Sequence, residues 1–431
     1  MFLIDWPSQV KYFVEEGVCD ADLPLVRVKT LGSHLNFARW ELRRSGSRDA
    51  PLQCFRTGSW VDNITVHVRM MKRFEDTQWQ FLAYSFRQDE PGRPQHFEIH
   101  EREILPFTLW EQLPRTSGFG EVFKANIHPN HFEFYDPGDG SDPPLLFRQD
   151  SVFAVKRLRS TKKEDWHREF KALRLLSSRS RRQENPNHLI SLLASYEQRG
   201  YYHFIFPHAD SNLREYWENH EPGVGAEPTT TALWLAAQCH GLARGLATIH
   251  CLASFSPTKP TNGREGEAGS VCCRHGDIKP DNILWFPDPV RGSTYNMGIL
   301  KITDFGAAEL LEKDKKVPNI IAPTSFMYEH PEDRVALRNS DDIWGLGCVF
   351  LEFVAWYVGG GWSGVQEFLT RRLKFGNYHF GSMKVGTFFT SGVDANGVRT
   401  AVVNPGVHEV SFRYTIYAVL GLLTFDPTQV H

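Results

Sequence analysis

The eight residues from 275 to 282, HGDIKPDN, narrow the choice of fold more than any other part of the sequence. They supply a carboxylate, an ammonium group and an amide close together in the chain. Asp277 can accept a proton from a hydroxyl group, Lys279 can hold phosphate charge, and Asn282 can bind a metal ion. The set is suited to phosphoryl transfer, and the rest of the sequence decides whether that chemistry has the partners it needs.

A lysine on a predicted strand and a glutamate on the next predicted helix form a second pair of charges. Lys156 belongs to SVFAVKRL, a short apolar strand pattern at 151 to 158. Glu169 falls on the apolar face of the helix that follows. That face is formed by Trp166, Phe170, Leu173 and Leu176. Because a buried carboxylate without a partner is strongly unfavourable, we expect Glu169 to pair with Lys156.

A second acid follows the strand pattern at the start of KITDFGAAEL, from 301 to 310. The carboxylate of Asp304 can bind Mg²⁺, and Gly306 frees the backbone that follows. Asp304 comes 27 residues after Asp277, so a hairpin between them would let both acids flank one phosphate site. By itself the DFG tripeptide has little specificity.

The segment TSGFGEVFKA, from 116 to 125, predicts a glycine-bearing turn between two strands. At Gly118 and Gly120 the missing side chains would let backbone amides approach a phosphate. Surface hairpins with two glycines are common, so this signal is weak alone. The sequence has no GxxxxGK[ST] segment, which disfavours a P-loop nucleotidase.

The composition limits the class of protein, its partners and its compartment. With 431 residues, 41% hydrophobic and 23% charged, the chain has an ordinary globular composition, and its net charge of -3 favours neither nucleic acid nor anionic membranes as partners. Its seven cysteines form no CxxC pair, which predicts a reduced, intracellular protein of the cytoplasm or nucleus. The longest apolar stretch, 345–362, contains Glu352 and three successive glycines, so we expect a buried helix rather than a membrane span.

The order of the patterns predicts a small sheet-rich lobe followed by a helical one. Residues 1–108 carry no chemical motif, and we interpret them as an N-terminal extension of unknown role. Within it, the alternation of Ile64, Val66, Val68 and Met70 predicts a strand. Strand patterns and one strong helix occupy 109–206, and helices with loops occupy 207–431, including an inserted loop at about 252–271.

Taken in order, these motifs resemble those of the eukaryotic protein kinases, and the resemblance covers roughly 110–430. The string HGDIKPDNILWF, the insertion before it and DDIWGLGC at 341–348 are similar to a fungal group of such kinases. The resemblance implies an α+β, bilobal protein-kinase-like fold, with a β-rich N-lobe and a larger helical C-lobe truncated at its last helix. It also implies ATP and Mg²⁺ as cofactors and a protein as the substrate.

The resemblance assigns a role to each motif. The catalytic residues would be Asp277 as the base, with Lys279, Lys156 and Glu169. Mg²⁺ would be held by Asn282 and Asp304. The nucleotide would contact Gly118, Gly120, Val122, Ala154, Lys156, Phe206 and Ala209. Lys279 in its DIKPDN context is similar to serine/threonine kinases rather than tyrosine kinases, and Asp342 would anchor the catalytic loop.

The sequence departs from the family pattern at several positions. Gly276 replaces the arginine that usually binds a phosphorylated activation loop, as in non-RD kinases. This replacement suggests activity that does not depend on that phosphorylation. Arg115 and Ser117 stand where the first two glycines of the loop would align. Val430 occupies the position of an arginine, so Glu332 would lack its expected ion partner.

Two other functions remain open at this point. The chain could be a pseudokinase or scaffold whose altered glycine loop has lost turnover. It also resembles the aminoglycoside phosphotransferases, in which HGD is likewise followed by an asparagine five residues after the acid. Lys279, the DFG sequence and the HPE segment at 330–332 favour a protein substrate over a small molecule. As a further hypothesis, the N-terminal extension packs on the small lobe and tunes the position of Glu169.

Overall fold

A computed structural model gives the architecture of the chain. It describes residues 14–15, 17–19, 22–31, 38–44, 64–90, 93–114, 120–135, 146–180, 188–223, 228–251, 272–287, 297–311, 323–331, 339–393 and 399–409. Strands dominate the first half of these residues and helices the second. The predicted α+β class and two-lobe arrangement are confirmed.

A small unit near the N-terminus combines two strands and a helix. Strands β1 (Leu25–Leu31) and β2 (Ala38–Arg44) pair antiparallel, and helix α1 (Ile64–Thr77) packs against them. The strand predicted at 64–70 is therefore wrong. Beyond this segment, the buried residues Met71, Phe74 and Gln78 follow helical spacing. The side chain of Gln78 forms hydrogen bonds with the backbone of Leu25.

The small lobe is built on a six-stranded sheet and one helix. In chain order the region comprises strands β3 (Phe86–Arg87), β4 (Gln95–Glu98), β5 (Phe107–Gln112), β6 (Gly120–Ile127), β7 (Phe132–Glu133) and β8 (Val152–Leu158), helix α2 (Lys163–Ser180), and strands β9 (Ala194–Gln198) and β10 (Tyr201–Pro207). The order in the sheet is β4-β9-β10-β8-β6-β5. All neighbours are antiparallel except β4 and β9, which run parallel.

Two apolar clusters hold the lobe together. One lies on the side of the sheet away from α2 and includes Phe86, Phe123, Phe153 and Tyr196. The other begins with Trp166, Phe170, Leu173 and Leu176 of α2, the four residues whose spacing predicted the apolar helix face, and continues into the helical lobe. The second cluster makes one continuous core beneath both lobes, so α2 rests on a surface shared by the two.

The helical lobe begins at the end of β10. Its elements are strand β11 (Ser211–Asn212), helices α3 (Leu213–Asn219) and α4 (Pro228–His250), strands β12 (Cys272–Arg274), β13 (Ile283–Phe286), β14 (Ile299–Ile302) and β15 (Glu309–Leu311), helices α5 (Asn339–Val358) and α6 (Trp362–Phe375), and strands β16 (His379–Phe380), β17 (Met383–Lys384), β18 (Phe389–Val393) and β19 (Arg399–Val403). Strands β11, β13 and β14 form a small antiparallel sheet, and β12 pairs with β15. These two short sheets carry the loops that contain Asp277 and Asp304.

The long apolar stretch at 345–362 forms most of α5, which is buried as predicted. The triple glycine ends this helix, and α6 begins at Trp362. Gly360 and Gly361 both have positive φ, which glycine adopts without strain. No helix in the part of the chain that the structure describes is both long enough and apolar enough to cross a membrane.

Candidate active site

Three charged side chains from separate elements meet at the junction of the two lobes. The ammonium of Lys156, on β8, lies 2.7 Å from Glu169 Oε1 on α2 and 2.6 Å from Asp304 Oδ1. All three side chains are almost fully buried. The predicted contact between Lys156 and Glu169 is confirmed, and the structure adds Asp304 to it.

The pKa values of these three groups are shifted by burial and by the contact of one lysine with two carboxyl groups. Burial alone would lower the pKa of Lys156, but the charges of Asp304 and Glu169 outweigh it and raise the pKa above its usual value. Burial would raise the pKa of Asp304, and Lys156 reverses the effect and lowers it. Burial raises the pKa of Glu169, and Lys156 offsets only part of that. The lysine and Asp304 thus favour their charged forms, whereas burial disfavours the charged form of Glu169.

The turn at Asp304 directs its carboxylate into this cluster. Asp304 has φ of 65°, a left-handed conformation that is uncommon for residues other than glycine, and it caps the short 3₁₀ turn Phe305–Ala307. Its Oδ1 accepts a hydrogen bond from Gly306 N as well as from Lys156. Such conformations persist only where the surroundings hold them, and they concentrate at functional sites.

The loop HGDIKPDN brings its three polar side chains into mutual contact. Lys279 Nζ donates to Asp277 Oδ2 at 2.7 Å. The amide nitrogen of Asn282 donates to the same oxygen and to the backbone carbonyl of Asp277, each at 2.8 Å. The loop ends in a short 3₁₀ turn, Pro280–Asn282, that leads directly into β13. The acid, the cation and the amide of this loop thus form one cluster.

Buried polar contacts fix the loop in place. Asp342, at the start of α5, accepts hydrogen bonds from the backbone of His275 at 2.7 Å and of Gly276 at 2.8 Å, and His250 Nε2 lies 2.9 Å from it. Burial would raise the pKa of Asp342, but the hydrogen bond with His250 and the backbone donors lower it. The predicted anchoring of the loop by Asp342 is confirmed, whereas the contribution of His250 was missed.

The same loop is tied to the segment that carries Asp304. The backbone N–H of Thr303 donates to the carbonyl of Asn282 at 2.9 Å, and His275 Nε2 lies 2.9 Å from the carbonyl of Thr303. The ring of His275 also meets Phe305 edge to face, with centroids 5.1 Å apart. The predicted hairpin between the two acids is therefore present, formed by β13 and β14.

The residues predicted to contact a nucleotide fall mainly on one face of the sheet. Lys156 is paired with Val122 of β6, and Ala154 is paired with Phe206 of β10. Because directly paired residues share a face and alternate residues of one strand do too, all four side chains lie on the side that carries the lysine. Ala209 follows β10 and is partly exposed.

The glycine turn is described only at its end. Gly120, the first residue of β6, packs against β8 so closely that a β-carbon there would lie 2.7 Å from the carbonyl oxygen of Arg157. Its lack of a side chain thus serves strand packing beside Lys156. Gly118, Arg115 and Ser117 lie outside the described residues.

A second buried charge cluster was not predicted. Glu352, on α5, accepts hydrogen bonds from Tyr328 at 2.7 Å and from Arg372 at 2.6 Å. The guanidinium of Arg372 also stacks 3.8 Å above the ring of Phe388. The only sequence signal was a lone acid inside an apolar helix. Residues 332 and 430, where an ion pair is expected to be lost, lie outside the described residues, as does the loop insertion at 252–271.

The chemistry of Asn282 and Asp304 fits the predicted magnesium ion. Within the described ranges, both side-chain hydrogen bonds of Asn282 are donated by its nitrogen, and both hydrogen bonds to the Asp304 carboxylate use Oδ1. Oxygen ligands suit Mg²⁺, and Asp304, whose pKa is lowered by Lys156, favours the charged form that binds a cation. Among the described residues, no group of three or more His, Cys, Asp or Glu could hold a metal by itself.

Comparison with known proteins assigns the region that holds these residues. A sequence model of the protein kinase domain matches residues 146–358, just under half of the chain. This region is a eukaryotic protein kinase domain. It contains Lys156, Glu169 and the loops of Asp277 and Asp304, while strands β5 and β6 of the kinase sheet lie outside the match. Kinase domains in general use ATP, a divalent metal ion and a protein substrate.

Several curated protein kinases are similar to the chain. Human cyclin-dependent kinase-like 4 is 28% identical over 174 residues, which is 40% of this chain and 36% of that protein. Protein kinase gsk3 of Schizosaccharomyces pombe is 26% identical over 264 residues, or 58% and 57% of the two chains. Protein kinase MCK1 of Saccharomyces cerevisiae is 40% identical over 87 residues, 20% of each. The chain spans less than two thirds of the length of each of these relatives.

Proposed function

We propose that the kinase domain is catalytically active and transfers the γ-phosphoryl group of ATP to a serine or threonine hydroxyl of a protein. The observation that carries the proposal is the position of the Lys156 ammonium between Glu169 and Asp304, 2.7 Å and 2.6 Å away. A scaffold has no need to bury one cation against two acids, because burying charge is unfavourable unless another interaction offsets it. An ATP site would use all three groups, the Lys156 ammonium and the carboxylates of Glu169 and Asp304.

In the proposed reaction the chain acts by positioning and by charge. Lys156, oriented by Glu169, would hold the phosphates of ATP against the sheet face that carries Val122, Ala154 and Phe206. The substrate hydroxyl would give its proton to Asp277 as its oxygen bonds to the γ-phosphorus and the bond from phosphorus to ADP breaks. Lys279, 2.7 Å from Asp277, would hold charge on the transferred group.

Asn282 and Asp304 would hold the magnesium ion, which neutralises phosphate charge when it is bound with ATP. Serine/threonine specificity is supported by the DIKPDN sequence around Lys279. The names of two relatives, protein kinase MCK1 and protein kinase gsk3, also favour a protein over a small molecule as the substrate.

The test is phosphate transfer from γ-labelled ATP to a generic protein substrate, first with Mg²⁺ and then with the metal chelated. Hydrolysis of the product should release phosphoserine or phosphothreonine, and chelation should abolish the signal. Asp277→Asn should lower the rate about 100-fold or more, because general-base catalysis typically contributes that much. Asp281→Asn is a matched control from the same turn, where Asp281 pairs with the partly exposed Arg214. Equal transfer by Asp277→Asn and the wild type would refute the proposal.

A further inference from the structure

A strand from the predicted N-terminal extension is part of the kinase sheet. Strand β4, Gln95–Glu98, pairs in parallel with β9, and His96 stands opposite Ser195 in the register. Residues on opposite sides of this strand face different parts of the molecule. Phe97 meets Tyr84 and Phe86, whereas His96 faces helix α2.

His96 contacts the helix through a tilted ring contact and a shared hydroxyl group. Its imidazole lies 4.2 Å from the ring centroid of Trp166. Ser195 Oγ accepts a hydrogen bond from Trp166 Nε1 at 2.9 Å and lies 3.1 Å from His96 Nδ1. Because this hydroxyl accepts from the indole, its own proton is available to Nδ1 of a neutral imidazole. His96 thus completes the hydrogen bonding of a fully buried serine.

The contact lies one helical turn from the active-site glutamate. Trp166 precedes Glu169 by three residues on α2, and Phe170, whose ring also approaches His96, follows it directly. Residues three apart on a helix lie on the same face. A displacement of Trp166 would therefore move the carboxylate that bonds Lys156 at 2.7 Å.

Beside this contact the extension and the helix are not packed together. An open cavity of about 560 Å³ separates them, lined by residues that include Asp89, Glu90, Arg93, Gln95, Phe170 and Arg174. His96 also lines this cavity, and its contacts with Trp166 and Phe170 join the strand to the helix.

We propose that His96 is a positioning residue for phosphate transfer: it holds Trp166, and through one turn of α2 it keeps Glu169 beside Lys156. The inference rests on the proposed function for its effect on rate. It gives residues 95–98 a role in the kinase domain although they lie outside the matched region.

The first test compares His96→Ala with Glu98→Gln, a control in the same strand whose side chain is exposed. His96→Ala should lower kcat about tenfold and leave KM for the protein substrate unchanged, because it acts on Glu169 and not on substrate binding. His96→Asn, which keeps an acceptor near the place of Nδ1, should recover part of the loss. Glu98→Gln should match the wild type. Equal kcat for His96→Ala and the wild type would overturn the proposal.

A double-variant cycle separates positioning from a general loss of stability. If His96 acts through Glu169, adding His96→Ala to Glu169→Gln should lower kcat no further than Glu169→Gln alone. Two losses that multiply would show that His96 acts by another route, which would also overturn the proposal.

Hydrogen exchange keeps the test independent of activity. In His96→Ala the amides of α2 should exchange about tenfold faster while those of α5 stay unchanged, because only the local contact is lost. If the wild type transfers no phosphate, the proposed function fails and exchange alone decides on His96. Faster exchange in α2 with His96→Ala but not with Glu98→Gln would support the positioning of Glu169 by His96, and unchanged exchange would refute it.

Discussion

Gly276 donates its backbone N–H to Asp342 Oδ1 at 2.8 Å from a conformation with φ of 85°. A β-carbon at this position would lie 2.9 Å from the carbonyl oxygen of Ala307, in the turn that follows Asp304. Both the left-handed φ and this close approach favour glycine, and they are independent of each other. The residue that departs from the usual family pattern is thus one that this backbone requires.

Replacing Gly276 by alanine should lower the free energy of unfolding by about 1–3 kcal/mol, the usual range for a strained left-handed residue. Phosphate transfer should fall as well, because the loop that carries Asp277 must move to relieve the contact with Ala307. Urea unfolding and the transfer assay measure the two effects. Gly347→Ala is the control, since Gly347 is an exposed helical residue with open space around it. That variant should gain about 0.5–1 kcal/mol, and an equal loss in both variants would contradict the explanation.

Position 276 also lacks a side chain that could bind a phosphorylated residue in the segment after Asp304. We therefore expect the purified protein to keep its rate of phosphate transfer after treatment with a phosphatase. No side chain at position 276 would lose a contact when the phosphate group is removed. Mass spectrometry would verify the removal of phosphate. A rate that disappears on dephosphorylation and returns on rephosphorylation would contradict this expectation.

Arg372→Met should lower the free energy of unfolding by about 3–5 kcal/mol, because it leaves the buried carboxylate of Glu352 without its cation. Adding Glu352→Gln should restore part of that loss. The neighbouring Arg371 offers a matched control, since its pairs with Glu367 and Glu409 are exposed and Arg371→Met should cost less than about 1 kcal/mol. Equal losses for the two single variants in denaturant unfolding would show that burial does not set the difference.

His203 predicts a dependence of stability on pH. Its ring stacks on Tyr196 at 4.3 Å, and Nδ1 is buried with no hydrogen-bond partner among the described residues. Burial, aided by the charge of Arg157, lowers the pKa of His203 from 6.5 to about 4. A lowered histidine pKa leaves stability intact above pH 6.5 and removes it as pH falls toward 4, because the unfolded chain takes up the proton first.

Between pH 7 and pH 4.5 the wild type should therefore lose about 2 kcal/mol more unfolding free energy than His203→Phe, which cannot take up a proton. Denaturant unfolding at the two pH values measures the difference. If both proteins lost the same amount, another group would account for the pH dependence of the wild type.

Much of the site could be predicted because burial leaves few choices. A carboxylate on the apolar face of α2 needs a cation, and Lys156 lies on the apolar strand pattern that precedes the helix. The prediction of a strand at 64–70 was wrong because four alternating apolar residues fit a strand. The helical spacing of buried residues appears only further along the chain, at Met71, Phe74 and the polar Gln78.

The missed contacts depend on pairings that local sequence does not encode. Strand β4 has only four residues, and its parallel pairing with β9 joins parts of the chain about a hundred residues apart. The contact between His96 and Ser195 could not be read from either segment alone. Likewise Glu352 was visible as an acid in an apolar helix, while its partner Arg372 lies in the next helix, α6.

The most direct test of the account is kcat/KM for ATP in phosphate transfer by the wild type, Lys156→Met and Lys171→Met. Lys171 lies on the exposed face of α2 and serves as the matched control. Lys156→Met should lower kcat/KM about 100-fold or more, because it removes the buried charge that in the proposed function holds the phosphates, while Lys171→Met should leave it unchanged. Thermal unfolding would verify that each variant is folded. Equal kcat/KM for a folded Lys156→Met and the wild type would contradict the central claim.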